Sequence, residues 1–493
     1  MYLGIDVGTQ SVKALLYDPQ QGAVAGVSSA PLELFSAGDG TREQQAQWWL
    51  DALRACLDGL DGKLRAGVQA LGVSGQQHGF VPLDADGRVL APVKLWCDTA
   101  TTAECDLISE RFGGRDRCIE QAGNPILAGY TAPKILWLKR HRPESYAQLA
   151  TILLPHDYIN FYLTGERAME YGDASGTGLL DIRARSWHTG LLGALDDERD
   201  LSAALPPLLQ PDEPLGQLRE AVARELGLPV GIPVATGGGD NMMAAIGTGN
   251  VAAGRLTVSL GTSGTLFACA DSPVVDPAGQ VAAFCSSTGG WLPLVCTMNC
   301  TASTELSRAL FDLDLDALQA QVERAAPGSG GVMTLPFFHG ERTPNLPAGK
   351  GCVMGLDEGN YTSANLLRSA MESAVYGLRA GLDGLAGLGC DIHAVRLTGG
   401  GAGSPAWRQM VADIFNLPVT VQAVDEGAAL GAALQAMWMH TGGGGERLVQ
   451  LVDSHLALDE ARSCEPDRRV TDAYTGFYEQ YLRHVDVVSA LYE

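Results

Sequence analysis

Positive charge is scarce in this chain of 493 residues: 34 lysines and arginines stand against 57 aspartates and glutamates, and the formal net charge is −23. Such a surface repels polyanions at long range, so neither nucleic acid nor an anionic membrane is an expected partner. An anionic ligand would have to be caught by local dipoles and metal ions. Long apolar runs are missing too, none approaching the ~20 residues of a membrane span. The opening MYLGIDVG has neither the basic nor the apolar region of a signal peptide and reads as a core strand, so a cytoplasmic protein is expected. Cys-x-x-Cys pairs are absent, and an odd total of 11 cysteines fits a disulfide framework poorly; reduced, structural thiols are expected. With charged residues at 18% and hydrophobic residues at 46%, the chain has the apolar surface for sizeable cores and is not disordered.

What is present, first of all, is a near-repetition. LGIDVGTQSVKALLYD at 3–18 returns as TVSLGTSGTLFACAD at 257–271, with Gly8-Thr9-Gln10 matching Gly261-Thr262-Ser263. Each copy runs from an apolar strand through a Gly-Thr-polar turn into a second apolar strand, a hairpin whose N–H groups and hydroxyls can cradle phosphate oxygens. Only the first copy carries a carboxylate, Asp6, where the second has Ser259. The duplication implies two homologous halves, 1–246 and 247–493, closing on one nucleotide. Between the hairpins, residues 43–57 have helical spacing, a strand ends in Gly75-Gln76-Gln77-His78-Gly79, and 90–171 reads as an insertion against the first half's core. Residues 207–220, rich in proline and acid, read as a surface connection. The strand before Gly237-Gly238-Gly239 leads into an alanine-rich helix opening at Asp240, placed as the hinge between halves. A long helix is expected over 363–388, whose apolar face suits core packing or a homodimer, and EGAALGAALQAM reads as a small-residue helix that lets neighbours approach closely.

Several residues carry chemistry. Asp240, at a helix start beside a glycine turn, is either an N-cap or a general base reaching a substrate hydroxyl, with Asn241 beside it for another hydroxyl. Asp6 on a core strand is costly without a partner, and a Mg²⁺ ion bridging to phosphates supplies one. Lys13, on the returning strand, is either a phosphate partner or a solvated side chain. Gln77 and His78 lie at a strand end, the ligand side of an open α/β sheet, and suit a polyol. Asp173 and Thr177 are further polar candidates, and Trp96 and Asp98 fit a sugar-site wall or, equally, core and turn. Gly399, Gly400 and Gly401, with Ser404, form a strand-to-helix turn where backbone can approach a nucleotide, and Asn416 at the end of the following helix joins them. Arg342 either touches the nucleotide or substrate or pairs with Glu341 beside it, and the loop-ordering ion pair is the expected role.

In their joint order, GIDVGTQSVK, GQQHG, PHDY, TGE, GDASGT, GGGDN, SLGTSG, HGERTP and GGGAGSPAWRQMVADI span the whole chain. On these the sequence resembles the FGGY carbohydrate kinases, and within them those acting on D-xylulose. The resemblance implies an actin/Hsp70/sugar-kinase-like (ribonuclease H-like) α/β fold of duplicated domains, each a mixed five-stranded sheet flanked by helices, with ATP in the interdomain cleft. It implies Asp240 as catalytic base, Asp6 as the magnesium-linked carboxylate with Asp240 a second metal contact, and Gln77-His78 in the sugar site. Thr9, Gln10, Ser11, Thr262 and Ser263 would hold the phosphates. The expected reaction is ATP-dependent phosphorylation of D-xylulose in xylose metabolism. Its rivals are phosphorylation of another ketose, polyol or sugar acid, and an ATP-binding regulator or switch without phosphotransfer.

Overall fold

The computed structural model describes residues 1–424 and 426–492. They form two compact bodies. The first comprises 1–252, 269–292 and 426–456; the second comprises 253–268, 293–425 and 457–493. The helix expected to be a hinge, Asp240–Gly247, belongs wholly to the first body. Division at 246/247 therefore does not follow the compact units, because two later segments of the chain fold into the first body.

In the first body β1 (Tyr2–Val7), β2 (Ser11–Asp18), β3 (Ala23–Pro31), β4 (Ala70–Gly75), β5 (Pro214–Gln217), β6 (Pro233–Ala235) and β7 (Gly238–Gly239) build one seven-stranded sheet. Its order is β5-β6-β4-β1-β2-β3, with β7 also on β4. β1 and β4 are apolar on both faces and lie centrally and parallel, whereas β3 alternates exposed and half-buried residues, as an edge strand does. The stretch 207–220, expected as a loop, contributes edge strand β5 antiparallel to β6. Its proline is tolerated because an edge strand has a side that makes no ladder bonds.

In the second body β8 (Gly254–Leu260), β9 (Gly264–Ala268), β10 (Leu294–Thr297), β11 (Ile392–Thr398) and β12 (Val419–Val421) form a five-stranded sheet in the order β10-β9-β8-β11-β12. The pairing senses repeat those of β3-β2-β1-β4-β6: antiparallel, antiparallel, parallel, parallel. The duplication read from two turns thus extends to sheet topology, with β5 and β7 additions to the first body. The helix Ser363–Gly387 buries Leu367, Met371, Val375 and Leu378, so core packing uses its apolar face.

The helix Gly427–Thr441 lies on β1, β4 and the helix Asp240–Gly247 with no side chains between the backbones. A Cβ on Gly4 would overlap the Ala429 carbonyl, one on Gly72 that of Ala432, one on Gly247 that of Gly427, and one on Gly431 that of Met243. Residues from 105 to 205 build a second hydrophobic cluster in the same body, around Ile108, Ile135, Ile152 and Leu191, joined by Ala283 and Cys285. All 11 cysteines are free. Among the described residues no helix is long and apolar enough to cross a membrane.

Candidate active site

The C-terminal ends of β1, β4 and β7 converge in the first body and carry the polar residues. Asp6 lies one residue from the end of β1, half-buried, and its Oδ1 accepts a hydrogen bond from Ser74 Oγ on β4 at 2.7 Å. Burial raises its carboxyl, and the Ser74 bond opposes that rise. Asp240 is the first residue of its helix and Gly239 occupies the cap position, so Asp240 is not the N-cap. Among the described residues its Oδ1 accepts from its neighbour alone, from Asn241 N at 2.7 Å and Asn241 Nδ2 at 3.0 Å. Loss of hydration, then the negative charges of Asp6 and Asp173, push the Asp240 carboxyl up to about 8. A carboxyl lifted toward neutral pH is tuned for general-base work.

Gln77 Oε1 accepts from Asn241 Nδ2 at 2.8 Å, and the Gln77 amide faces Asp173, whose carboxylate it stabilises. Among the described residues neither Gln77 Nε2 nor Asp173 Oδ1 completes a well-aligned hydrogen bond, although both residues are buried. Buried polar atoms left in this state are suited to the hydroxyls of a ligand.

His78 follows on the same turn with φ of 65°, a conformation uncommon outside glycine and typical of functional turns. Its carbonyl is pinned from two sides, by Lys134 Nζ at 2.8 Å and Thr131 Oγ1 at 3.1 Å, and its ring packs on Tyr130 and Phe284 at centroid distances of 5.0 and 5.7 Å. Phe284 comes from the segment 269–292 that the second half of the sequence lends to the first body. No local pattern in AAFCSS marks it for this place. Thr177, by contrast, bonds the Ala174 carbonyl inside its own turn.

Lys134 is fully buried, and its Nζ also donates to the Gly129 carbonyl at 2.6 Å. Burial depresses its ammonium to about 7. Below that pH the lysine is charged in folded and unfolded chains alike. Between about 7 and 10.5 only the unfolded chain holds the proton, so Lys134 makes the fold gain stability as pH rises through this window. Urea denaturation at pH 7 and pH 9 should show wild type gaining about 2–3 kcal/mol more than Lys134→Met. An equal gain in both proteins would contradict the buried-amine assignment.

The first hairpin is held by side chains. Thr9 Oγ1 donates to Gln76 Oε1 at 3.0 Å and accepts from Trp96 Nε1 at 3.0 Å, while Gln44 Nε2 donates to the Thr9 carbonyl at 2.8 Å. Trp96 therefore braces the first hairpin, with 38% of its surface still open. Gln10 is exposed at the tip, and Gly8 N–H closes the turn on the Ser11 carbonyl at 3.0 Å. Lys13 pairs with Glu426 at 2.6 Å and both remain partly exposed, so it is neither unpaired nor merely solvated. Asp98 is a structural group: fully buried, it pairs with Lys94 at 3.0 Å and accepts from Arg42 N.

In the second body the hairpin Gly261-Thr262-Ser263 turns its carbonyls to the start of the helix Thr301–Leu310. Thr301 N bonds the Gly261 carbonyl and Cys300 N that of Thr262. After β11, Gly399 has φ of 84°, and Gly400 and Gly403 are exposed with open space where a Cβ would point. Packing does not require glycine at these two positions, and their bare backbone is open to close approach by a ligand. Ser404 and Asn416 bracket the helix Pro405–Phe415, Ser404 as its N-cap and Asn416 as its left-handed C-terminal residue. Glu341 orders its loop by accepting from the Met298 and Arg342 backbone N–H groups and from Asn299 Nδ2. Among the described residues its partners are these two backbone N–H groups and the Asn299 amide, not the expected Arg342 ion pair.

Residues 1–247 match the N-terminal domain of the FGGY family of carbohydrate kinases, and 256–440 match its C-terminal domain. The chain belongs to the FGGY family of carbohydrate kinases. It is an ATP-dependent sugar kinase. A xylulose kinase of Haemophilus influenzae is 43% identical over 98% of this chain and 99% of its own length, and one of Escherichia coli is 38% identical over 88% and 89%. Among solved structures, a xylulose kinase from Bifidobacterium adolescentis superposes with a TM-score of 0.82 at 30% identity, covering 96% of this chain and 98% of its own. A gluconate kinase from Lactobacillus acidophilus shares the fold at 23% identity and a TM-score of 0.92, covering 99% and 98%. As a member of the FGGY family, the chain takes a nucleoside triphosphate and a sugar as its small-molecule partners.

Magnesium fits the first body of this FGGY kinase. Asp6 and Asp173 raise the cost of ionising Asp240, and Lys13, the cation paired in register with Asp6, is engaged by Glu426. Among the described residues no group of three or more His, Cys, Asp or Glu side chains stands ready to hold a metal by itself. Two carboxylates without a complete cage suit an ion that keeps waters and phosphate oxygens as its other ligands.

Proposed function

We propose that this kinase transfers the γ-phosphoryl group of ATP to D-xylulose, giving ADP and D-xylulose 5-phosphate. The observation that carries the proposal is the arrangement of Asp240, Asn241, Gln77 and Asp173: a carboxyl lifted toward neutrality beside buried donors and acceptors with spare capacity. The xylulose kinases it resembles over nearly its whole length direct the choice of sugar.

In this reading Gln77, His78, Asn241, Trp96 and Asp173 hold the sugar. Asp240 accepts the proton of its terminal hydroxyl as the oxygen attacks the γ-phosphorus and the bond to the ADP oxygen breaks. Asp6 and Asp240 would hold Mg²⁺, which would supply charge neutralisation to the phosphate oxygens. Thr9, Gln10 and Ser11 offer hydroxyls and N–H groups to the phosphates. Lys13 can join them because an exposed ion pair such as that with Glu426 is weak, worth ~0–1 kcal/mol. On the second body the reading assigns Gly261, Thr262, Ser263, Gly399, Gly400, Gly401, Ser404 and Asn416 to the nucleotide. A cytoplasmic homodimer engaged in xylose metabolism completes the proposal.

The deciding experiment follows ADP release from MgATP with D-xylulose, L-xylulose, D-ribulose, L-ribulose, glycerol, D-gluconate or no sugar. D-xylulose is expected to give the highest kcat/KM. A different preferred substrate would keep the kinase and replace its sugar.

A further inference from the structure

His156 has no part in the reaction as described, yet it is built into the site from behind. It is the second residue of the helix Pro155–Thr164 and is 0% exposed. Two glycines make room for it: a Cβ on Gly75 would stand 3.0 Å from the His156 Cβ, and one on Gly237 would stand 3.3 Å from its Cδ2. Both ring nitrogens face carboxylates, Nδ1 at 2.8 Å from Asp173 Oδ2 and Nε2 at 2.9 Å from Asp157 Oδ1. Asp157 is itself fixed, because its Oδ2 accepts the Leu154 N–H at 3.0 Å. Burial works to lower the imidazole's pKa, but Asp157 and Asp173 outweigh it and hold the ring well above its usual range as an imidazolium.

From Asp173 the contacts continue outward. The Gln77 amide faces Asp173, Gln77 Oε1 accepts from Asn241 Nδ2 at 2.8 Å, and the same Nδ2 reaches Asp240 Oδ1 at 3.0 Å. We propose that His156 is a positioning residue: by gripping Asp173 from behind, it fixes Gln77 and Asn241, and so places the ketose hydroxyl for Asp240. This role rests on the sugar-kinase reading above. A group that only tied the helix to the sheet would need neither the bond toward Asp173 in particular nor a line of polar contacts ending at the base.

The two ring nitrogens make the idea testable, since an asparagine amide takes the place of Nδ1 and a glutamine amide that of Nε2. His156→Asn keeps a donor toward Asp173 and loses the one toward Asp157; His156→Gln does the reverse. If His156 positions the sugar site, His156→Asn holds kcat/KM for the ketose within about 5-fold, whereas His156→Gln loses about 100-fold, as small misplacements of reacting groups do. In both variants KM for MgATP stays within about 2-fold, as for a residue that does not touch the nucleotide. Equal losses in the two variants, or ketose kinetics retained by His156→Gln, would overturn the role.

If circular dichroism shows that His156→Gln does not fold, Asp157→Asn carries the test. It keeps an acceptor for Leu154 N–H and the His156–Asp173 contact but loosens the ring's far anchor. The ketose KM should then rise by about 4-fold, within the limit set for His156→Asn, with the MgATP KM unchanged, and an unchanged ketose KM would overturn the role. Wild type assayed in parallel separates the two levels. Wild type without sugar-dependent ADP release defeats the kinase reading and the role with it, whereas an active wild type beside an indifferent His156→Gln defeats the role alone.

Discussion

Asp240→Asn is expected to bind ATP with nearly wild-type affinity and to transfer phosphate some 10³–10⁴-fold more slowly, the scale of a lost general base. Asparagine preserves the shape of the helix start and can still accept from the Asn241 N–H through its carbonyl oxygen, so the glycine turn and the Gln77–Asn241 bond should persist. What disappears is the capacity to take a proton. The same substitution should stabilise the fold when neither ATP nor Mg²⁺ is added. The Asp240 carboxyl rises in the folded state from an ordinary value near 3.8 to about 8. Over that window the unfolded chain releases a proton that the folded chain keeps, and the wild type loses stability as pH rises. Asparagine has no such proton, so near pH 7 the variant should melt a few degrees higher. That advantage should shrink steadily as pH falls from about 7 towards about 4 and be absent below about 4. Turnover within tenfold of wild type would remove Asp240 from the mechanism, and a lower melting temperature at pH 7 would contradict the electrostatic account.

The second large effect is expected far from any reacting atom. Gly431→Ala adds one methyl group where the Met243 carbonyl already stands, and the helix bearing Met243 is the one that Asp240 opens. Backbone cannot step aside as a flexible side chain can. The two helices must part, losing contacts along their length, and a cost above about 3 kcal/mol is expected. Soluble yield and thermal midpoint should both fall sharply, and the surviving protein should show a reduced kcat because the Asp240 helix has shifted. Gly403→Ala makes a useful control, because a Cβ there meets nothing. If Gly431→Ala melts within two or three degrees of wild type, the close approach of these helices is wrong.

The residues that sequence alone could find share a property: their surroundings are written next to them. The hairpins carry their turn residues in order and twice over. Asp240 follows three glycines, and Ser404 precedes Pro405 at a helix start. Other assignments depended on partners far along the chain. Lys13 meets Glu426, Trp96 hydrogen-bonds Thr9, and Asp98 accepts from the Arg42 backbone N–H. No local pattern could choose between a free and an engaged lysine, or between a sugar wall and a brace. Phe284 was missed for the same reason, since nothing near it announces that its segment returns to the first body. Proline and acid in 207–220 suggested a loop because composition speaks to local preference, whereas a sheet edge needing only one ladder recruited β5.

The helix Gly427–Thr441 has a consequence for how the protein is made. It covers β1 and β4, which leave the ribosome first, yet it is among the last parts of the first body to be synthesised. Until about residue 441 has emerged, the earliest strands present an apolar face with no lid. Such a face is aggregation-prone while it stays uncovered, and shielding it is the physical task that chaperones perform. A gene cut at the visible sequence repeat would encode two fragments, neither of which contains a whole first body.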